Sequence, residues 1–192
     1  MIKELLLIGT TVLALTTGGV TVGTTSANNT QPHIRGNHTS VALLKKAELT
    51  AQAQEDMLEQ IALQKETDRV NSAIEKLKSH VGKTWYVFSG ATPSGWDCSG
   101  LTMWFYEQLG IQLEHRASKQ ESAGTKTSTP KPGDLVVFKY NGNKSAYHVG
   151  IYIGNGEMIH APKHGHVTRI ENIKTFAGNY SKISYFNFIE TL

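Results

Sequence analysis

Two short alternating runs joined by an Asn-Gly pair restrict this chain more than any other feature: AYHVGIYIG over residues 146–154 and EMIHA over 157–161, separated by Asn155-Gly156. Asn-Gly is the favoured filling of a two-residue hairpin turn, because both central positions take positive φ. The two runs are therefore expected to pair as antiparallel strands. In the first, Val149, Ile151 and Ile153 share one face, while His148, Gly150, Tyr152 and Gly154 share the other. A histidine followed by glycine on that second face is expected to leave open space above the imidazole. His160, two residues after Met158, is expected to lie across from His148 if the turn is tight.

The rest of the second half has the same texture. Pro130, Pro132 and Gly133 punctuate the chain before residues 134–140, where Leu135 to Phe138 read as a buried strand that turns back at Asn141-Gly142. Further short strands are expected over residues 166–170 and 184–189. Ahead of the strands lie two helices, one over residues 68–80 ending at Gly82, the other from Asp97 to Leu109 closing at Gly110. Leu101, Trp104, Phe105 and Leu109 give the second helix an apolar face to dock on a sheet. Helices first and then an antiparallel meander define an α+β domain.

A chain of 192 residues has room for one such domain and something smaller. Lys3, an apolar run from Leu5 to Leu15 and the small residues Thr25-Ser26-Ala27 have the anatomy of a secretory signal peptide over residues 1–27, with an uncleaved anchor as the rival reading. Residues 28–40 are polar and aperiodic, which fits a spacer. From Val41 to about Glu66, Leu44, Ala47, Ala51, Gln54, Leu58 and Ile61 recur at steps of three and four, the pattern of an amphipathic helical arm. The apolar phase changes beyond Lys65 and Asp68, so a boundary is placed near Thr67, with a catalytic domain over residues 67–192. The arm reads as a stalk or packing element, or as a seam for self-association.

Net charge is +3, which suits an anionic wall and is too small and too interspersed with acids for a nucleic-acid partner. The single cysteine excludes an internal disulfide. A lone thiol in an exported protein is either a buried small hydrophobe or a used nucleophile. Its context, GWDCSGL, places Cys98 at a helix start, where free N–H groups and partial positive charge favour the thiolate. Asp97 is the expected N-cap, and its charge opposes ionisation. A base is needed as well.

Eight histidines are available: His33, His38, His80, His115, His148, His160, His164 and His166. Strand periodicity selects His148 to take the thiol proton and return it to the leaving amine, and His160 to fix the orientation of His148. His164 and His166 lack the spacing of a metal motif, so neither metal nor cofactor is expected. Arg116 and Gln120 read as a solvated loop, with contact to substrate carboxylates as the alternative.

DCSGL at a helix start, HVGIYIGNG, MIHAP and the preceding GKTWYVFSG resemble, in order and spacing, the NlpC-type family of bacterial cell-wall cysteine peptidases, over about residues 68–189. The resemblance implies a compact papain-like fold, with Cys98 as nucleophile, His148 as general base and His160 as the orienting third residue. It also implies a substrate or oxyanion role for Tyr86, and matches Asp97, Ser99 and Gly100 to the signature beside the nucleophile. The Ser99 side chain or the Cys98 N–H would meet the substrate carbonyl. The family commonly has Pro before the tyrosine and Trp-Gly-Gly after it, where this chain has Trp85 and Phe88-Ser89-Gly90, so the pocket differs.

The activity implied is hydrolysis of peptidoglycan stem peptides at the bond between D-γ-glutamate and a diamino acid, by a secreted or wall-associated enzyme that meets the membrane only through its export signal. Rival readings are an amidase cutting before L-alanine, an acyltransferase, in which histidine would precede cysteine, and a non-catalytic wall-binding protein.

Overall fold

The computed structural model describes residues 37–189, so the expected signal peptide over residues 1–27 and the start of the spacer lie outside the described residues. Helix α1 runs without interruption over Asn37–Lys78. It begins inside the stretch expected as a spacer, and it joins into one helix the arm and the helix over residues 68–80 that were expected to be separate. No Gly or Pro interrupts the backbone ladder there, and the Thr67 hydroxyl donates to the Leu63 carbonyl within the helix. The change of apolar phase turns the buried stripe without ending the helix. Val70, Ala73, Ile74 and Leu77 are buried in the core, whereas Leu44, Leu58 and Ile61 are exposed.

By its contacts, the chain forms one unit up to Leu44 and a second, compact one over Lys45–Leu192. The second contains every other element. A small hairpin, β1 (Ala91–Thr92) with β2 (Gly95–Trp96), leads into α2 (Cys98–Glu107). After α3 (Ala117–Ala123) come β3 (Thr125–Thr127), β4 (Leu135–Tyr140), β5 (His148–Gly154), β6 (Glu157–His160) and β7 (Arg169–Asn172). The short α4 (Ile173–Ala177) and β8 (Ser181–Asn187) follow. Six strands make one antiparallel sheet in the order β3-β8-β4-β5-β6-β7. The expected α+β layout, helices on an antiparallel sheet, is the one observed.

The β5–β6 turn follows from its residues. Asn155 and Gly156 take φ of 54° and 75°, as a tight primed turn requires. A register irregularity between Tyr152 and Gly154 precedes it. Ile151 then pairs with Ile159, and Gly150 sits beside His160: a Cβ at position 150 would come within 3.2 Å of the His160 Cβ. His160 is consequently one pair diagonal to His148 rather than directly across from it.

The sheet is covered on both faces. Leu135, Val137, Val149, Ile151, Ile159 and Phe186 join Leu101 and Phe105 of α2 and Leu77 of α1 in the main core. Val136, Phe138 and Met158 pack with Ile173 and Ala177 of α4 in a second cluster, with Phe176 against it. The expected open space above His148 is therefore filled. Phe176 lies against both His148 and His160, with ring centroids 4.7 and 4.8 Å away.

Candidate active site

The start of α2 is built around Asp97. Its backbone is extended (φ −90°, ψ −176°), and Oδ1 accepts from the Gly100 N–H at 2.8 Å, an N-cap bond. The same oxygen accepts from the Ser99 hydroxyl at 2.9 Å and lies 2.8 Å from His115 Nε2, while Oδ2 accepts from the Ser89 N–H at 3.1 Å. The Ser99 hydroxyl is thereby turned inward, which corrects the expectation that it meets a substrate carbonyl. Gly100 has no alternative, since a Cβ there would fall 1.9 Å from the Gly90 carbonyl oxygen.

Two buried groups hold this first turn in place. The Trp96 indole N–H donates to Thr168 Oγ1 at 2.7 Å, tying the residue before the cap to the chain near β7. Gln120 is wholly buried: its amide donates to the carbonyls of Ser99 and Glu114 and its oxygen accepts from Thr102 Oγ1. The expected solvated loop at Arg116 and Gln120 is thus corrected, with Arg116 the exposed N-cap residue of α3 and Gln120 a structural clamp on α2.

Cys98 opens the helix, half-buried, near the backbone N–H groups of Val149 and Ser99. Those donors favour a negative sulfur, but burial outweighs them and the Asp97 carboxylate adds to it, pushing the thiol up to about 11. The expected preference of a helix start for thiolate is here overcome by desolvation. Tyr86 is near enough to Cys98 and Asp97 that their charges, added to its own burial, push its hydroxyl above the usual range.

Val149, whose N–H favours a negative sulfur, directly follows His148. His148 is 4% exposed and burial, then its neighbour His160, holds it well below the ordinary histidine range. Its Nε2 lies 2.8 Å from His160 Nδ1. His160 is fully buried and brought down to about 3 by burial and by the Arg169 guanidinium. Each charge is therefore disfavoured on its own in this setting.

The structure thus gathers Cys98, Asp97 and Tyr86 at one spot, and His148 and His160 in one hydrogen bond. Residues 169 and 171 were missed by sequence reasoning: Glu171 Oε2 lies 3.1 Å from His160 Nε2 and 2.8 Å from Arg169 Nη2. The available signal was the alternation Arg169-Ile170-Glu171, which puts both charges on one face of the strand beside β6. His80, by contrast, packs edge-on against Trp96 and Trp104. Among the described residues no group of three or more His, Cys, Asp or Glu could hold a metal ion.

A helix-borne thiol packed against an antiparallel sheet is the plan of the compact papain-like α+β class. Within it, the chain belongs to the NlpC/P60 family, whose model matches residues 82–190. It is 42% identical over 94 residues to a probable endopeptidase p60 of Listeria innocua, covering 48% of this chain and 20% of that protein. A probable endopeptidase of Mycobacterium bovis is 40% identical over 87 residues, which cover 44% of this chain and 22% of that one. The chain therefore spans about a fifth of the length of these curated relatives. Among solved structures, the NlpC/p60 domain of the peptidoglycan hydrolase SagA is 34% identical, with a TM-score of 0.53 over 62% of this chain and 98% of that one.

Proposed function

We propose that this protein is an exported cysteine endopeptidase of peptidoglycan, cleaving the bond between D-γ-glutamate and the diamino acid of stem peptides, with Cys98 as nucleophile. The observation that carries the reading is the junction of α2 with β5. The N–H groups of the first turn and of Val149 favour a negative Cys98 sulfur, and Val149 directly follows His148, a buried imidazole whose Nε2 is bonded to His160. Names of similar proteins agree with it, several being probable endopeptidases and one a peptidoglycan hydrolase.

In this mechanism His148 takes the Cys98 proton as sulfur attacks the γ-glutamyl carbonyl carbon. The oxyanion forms at the start of α2, where the Cys98 N–H and the Tyr86 hydroxyl are the candidate donors. Collapse breaks the C–N bond, and the proton on His148 passes to the departing amine. Water then attacks the thioester and gives its proton to His148. The acid departs and Cys98 regains its proton. His160 holds His148 in line throughout.

The test is digestion of defined muropeptides by the purified chain and by Cys98→Ala, read by mass spectrometry. Products carrying a free diamino acid amine, formed only with Cys98 present, are expected; identical profiles for the two proteins would refute the reading. Release of a peptide beginning with L-alanine would instead identify an amidase. Export is checked by N-terminal sequencing of protein recovered from the medium, with Asn28 expected first.

A further inference from the structure

The polar chain behind the thiol does not end at His160. On β7, Glu171 places Oε2 3.1 Å from His160 Nε2, and the same oxygen is 2.8 Å from Arg169 Nη2. Arg169 is the cross-strand partner of His160, and Glu171 lies two residues on, on the same face. The His148–His160 contact is buried and covered by the Phe176 ring, so little water can compete for that hydrogen bond, while Glu171 and Arg169 reach it from the partly exposed edge.

The protons in such a chain cannot be arranged freely. Arg169 offers only donors, so the oxygen it meets must be an acceptor, the state an ionised Glu171 supplies. His160 must then donate from Nε2. Neutral imidazole carries one N–H, so Nδ1 of His160 is left as an acceptor. His148 must fill it by donating from Nε2, which leaves Nδ1 of His148 bare. A general base needs such a bare nitrogen. Without the carboxylate, His160 can take either tautomer, and in the other one it donates from Nδ1 and forces the proton of His148 onto the nitrogen that should accept.

We infer that Glu171, anchored by Arg169, is a positioning residue that sets the tautomers of His160 and His148 and so keeps the base nitrogen of His148 free. This rests on the proposed roles of Cys98 and His148, and it assigns Glu171 no contact with substrate.

The test reads ring protons and turnover separately. In the full chain labelled with ¹⁵N-histidine, NMR at neutral pH should find His160 of the unsubstituted protein protonated on Nε2. In Glu171→Ala that preference is expected to vanish, and kcat on a defined muropeptide to fall roughly 10- to 100-fold, the usual scale for losing a group that orients a functional histidine. KM and the thermal midpoint should stay near their original values. Glu171→Gln keeps an oxygen that Arg169 draws toward His160, so it should restore the Nε2–H tautomer and most of kcat. It also serves if the alanine variant fails to fold. Retention of the Nε2–H tautomer, or of full kcat, in Glu171→Ala would overturn the inference. Should the unsubstituted protein not cleave wall peptides at all, the functional proposal fails while the NMR comparison still decides the role of Glu171.

Discussion

The imidazoles of His148 and His160 meet at right angles, with Nε2 of the first 2.8 Å from Nδ1 of the second and their ring centroids 5.1 Å apart. The perpendicular arrangement aims the nitrogen of one ring along the plane of the other, and the whole contact is buried.

Gly150 is what allows the rings to meet. A Cβ there would stand 2.9 Å from Met158 Sδ, 3.1 Å from the Ile159 carbonyl oxygen and 3.2 Å from the His160 Cβ. Gly150→Ala should push β6 away from β5, costing about 1–3 kcal/mol. Urea unfolding measures that cost, and muropeptide turnover should drop at the same time because His160 moves from His148.

Burying two neutral imidazoles makes stability depend on pH in one direction. His160 has an unfolded value near 6.5 and a folded value of about 3, and His148 is lowered in the same sense. Between those values the unfolded chain binds more protons, so stability is full above pH 6.5 and falls as the pH drops toward 3. The slope reaches at most about 1.4 kcal/mol per pH unit for each histidine. Thermal midpoints between pH 7 and 4 should decline, and less steeply in His160→Gln.

Asp97 can be separated into its two effects on the thiol. Asparagine retains an N-cap acceptor but removes the charge that helps push Cys98 up to about 11. Asp97→Asn should therefore alkylate faster with iodoacetamide at pH 7, the direction expected from a lowered thiol pKa, while the unsubstituted protein reacts slowly and gains speed as the pH rises.

Gln120 offers a test of how α2 is clamped. Truncation to alanine empties a buried site and removes the Gln120 bonds to Thr102 Oγ1 and to the Ser99 and Glu114 carbonyls, leaving Thr102 Oγ1 to donate to the Ser99 carbonyl at 2.9 Å. A loss of about 1–3 kcal/mol is expected in chemical denaturation. Arg116→Ala, on the exposed N-cap, should change stability by no more than about 0.5 kcal/mol.

The sheet was legible because its signals are local. Alternation in residues 148–154, Asn155-Gly156 and the apolar run of β4 specify strands and turns within a few residues. The cysteine and its cap were equally readable at Asp97-Cys98. What escaped depends on distant partners. Nothing near Gln120 marks it as buried, because its donors and acceptors come from Ser99, Thr102 and Glu114. The five-residue α4 is too short to show a period, yet its Phe176 closes the face above His148. The expected break between two helices near Thr67 failed for the opposite reason: a shift of apolar phase marks where a helix begins to be buried, not where it stops.

The protonated state of Cys98 also bears on how long the protein survives. Oxidation to sulfenic and higher acids proceeds from the thiolate, and a sulfur held near 11 presents almost none of it at neutral pH. With no second cysteine in the chain, a sulfenic acid here could not be resolved into an internal disulfide. A lone sulfur held as the thiol is thereby slow to react with peroxide and stays reduced for longer.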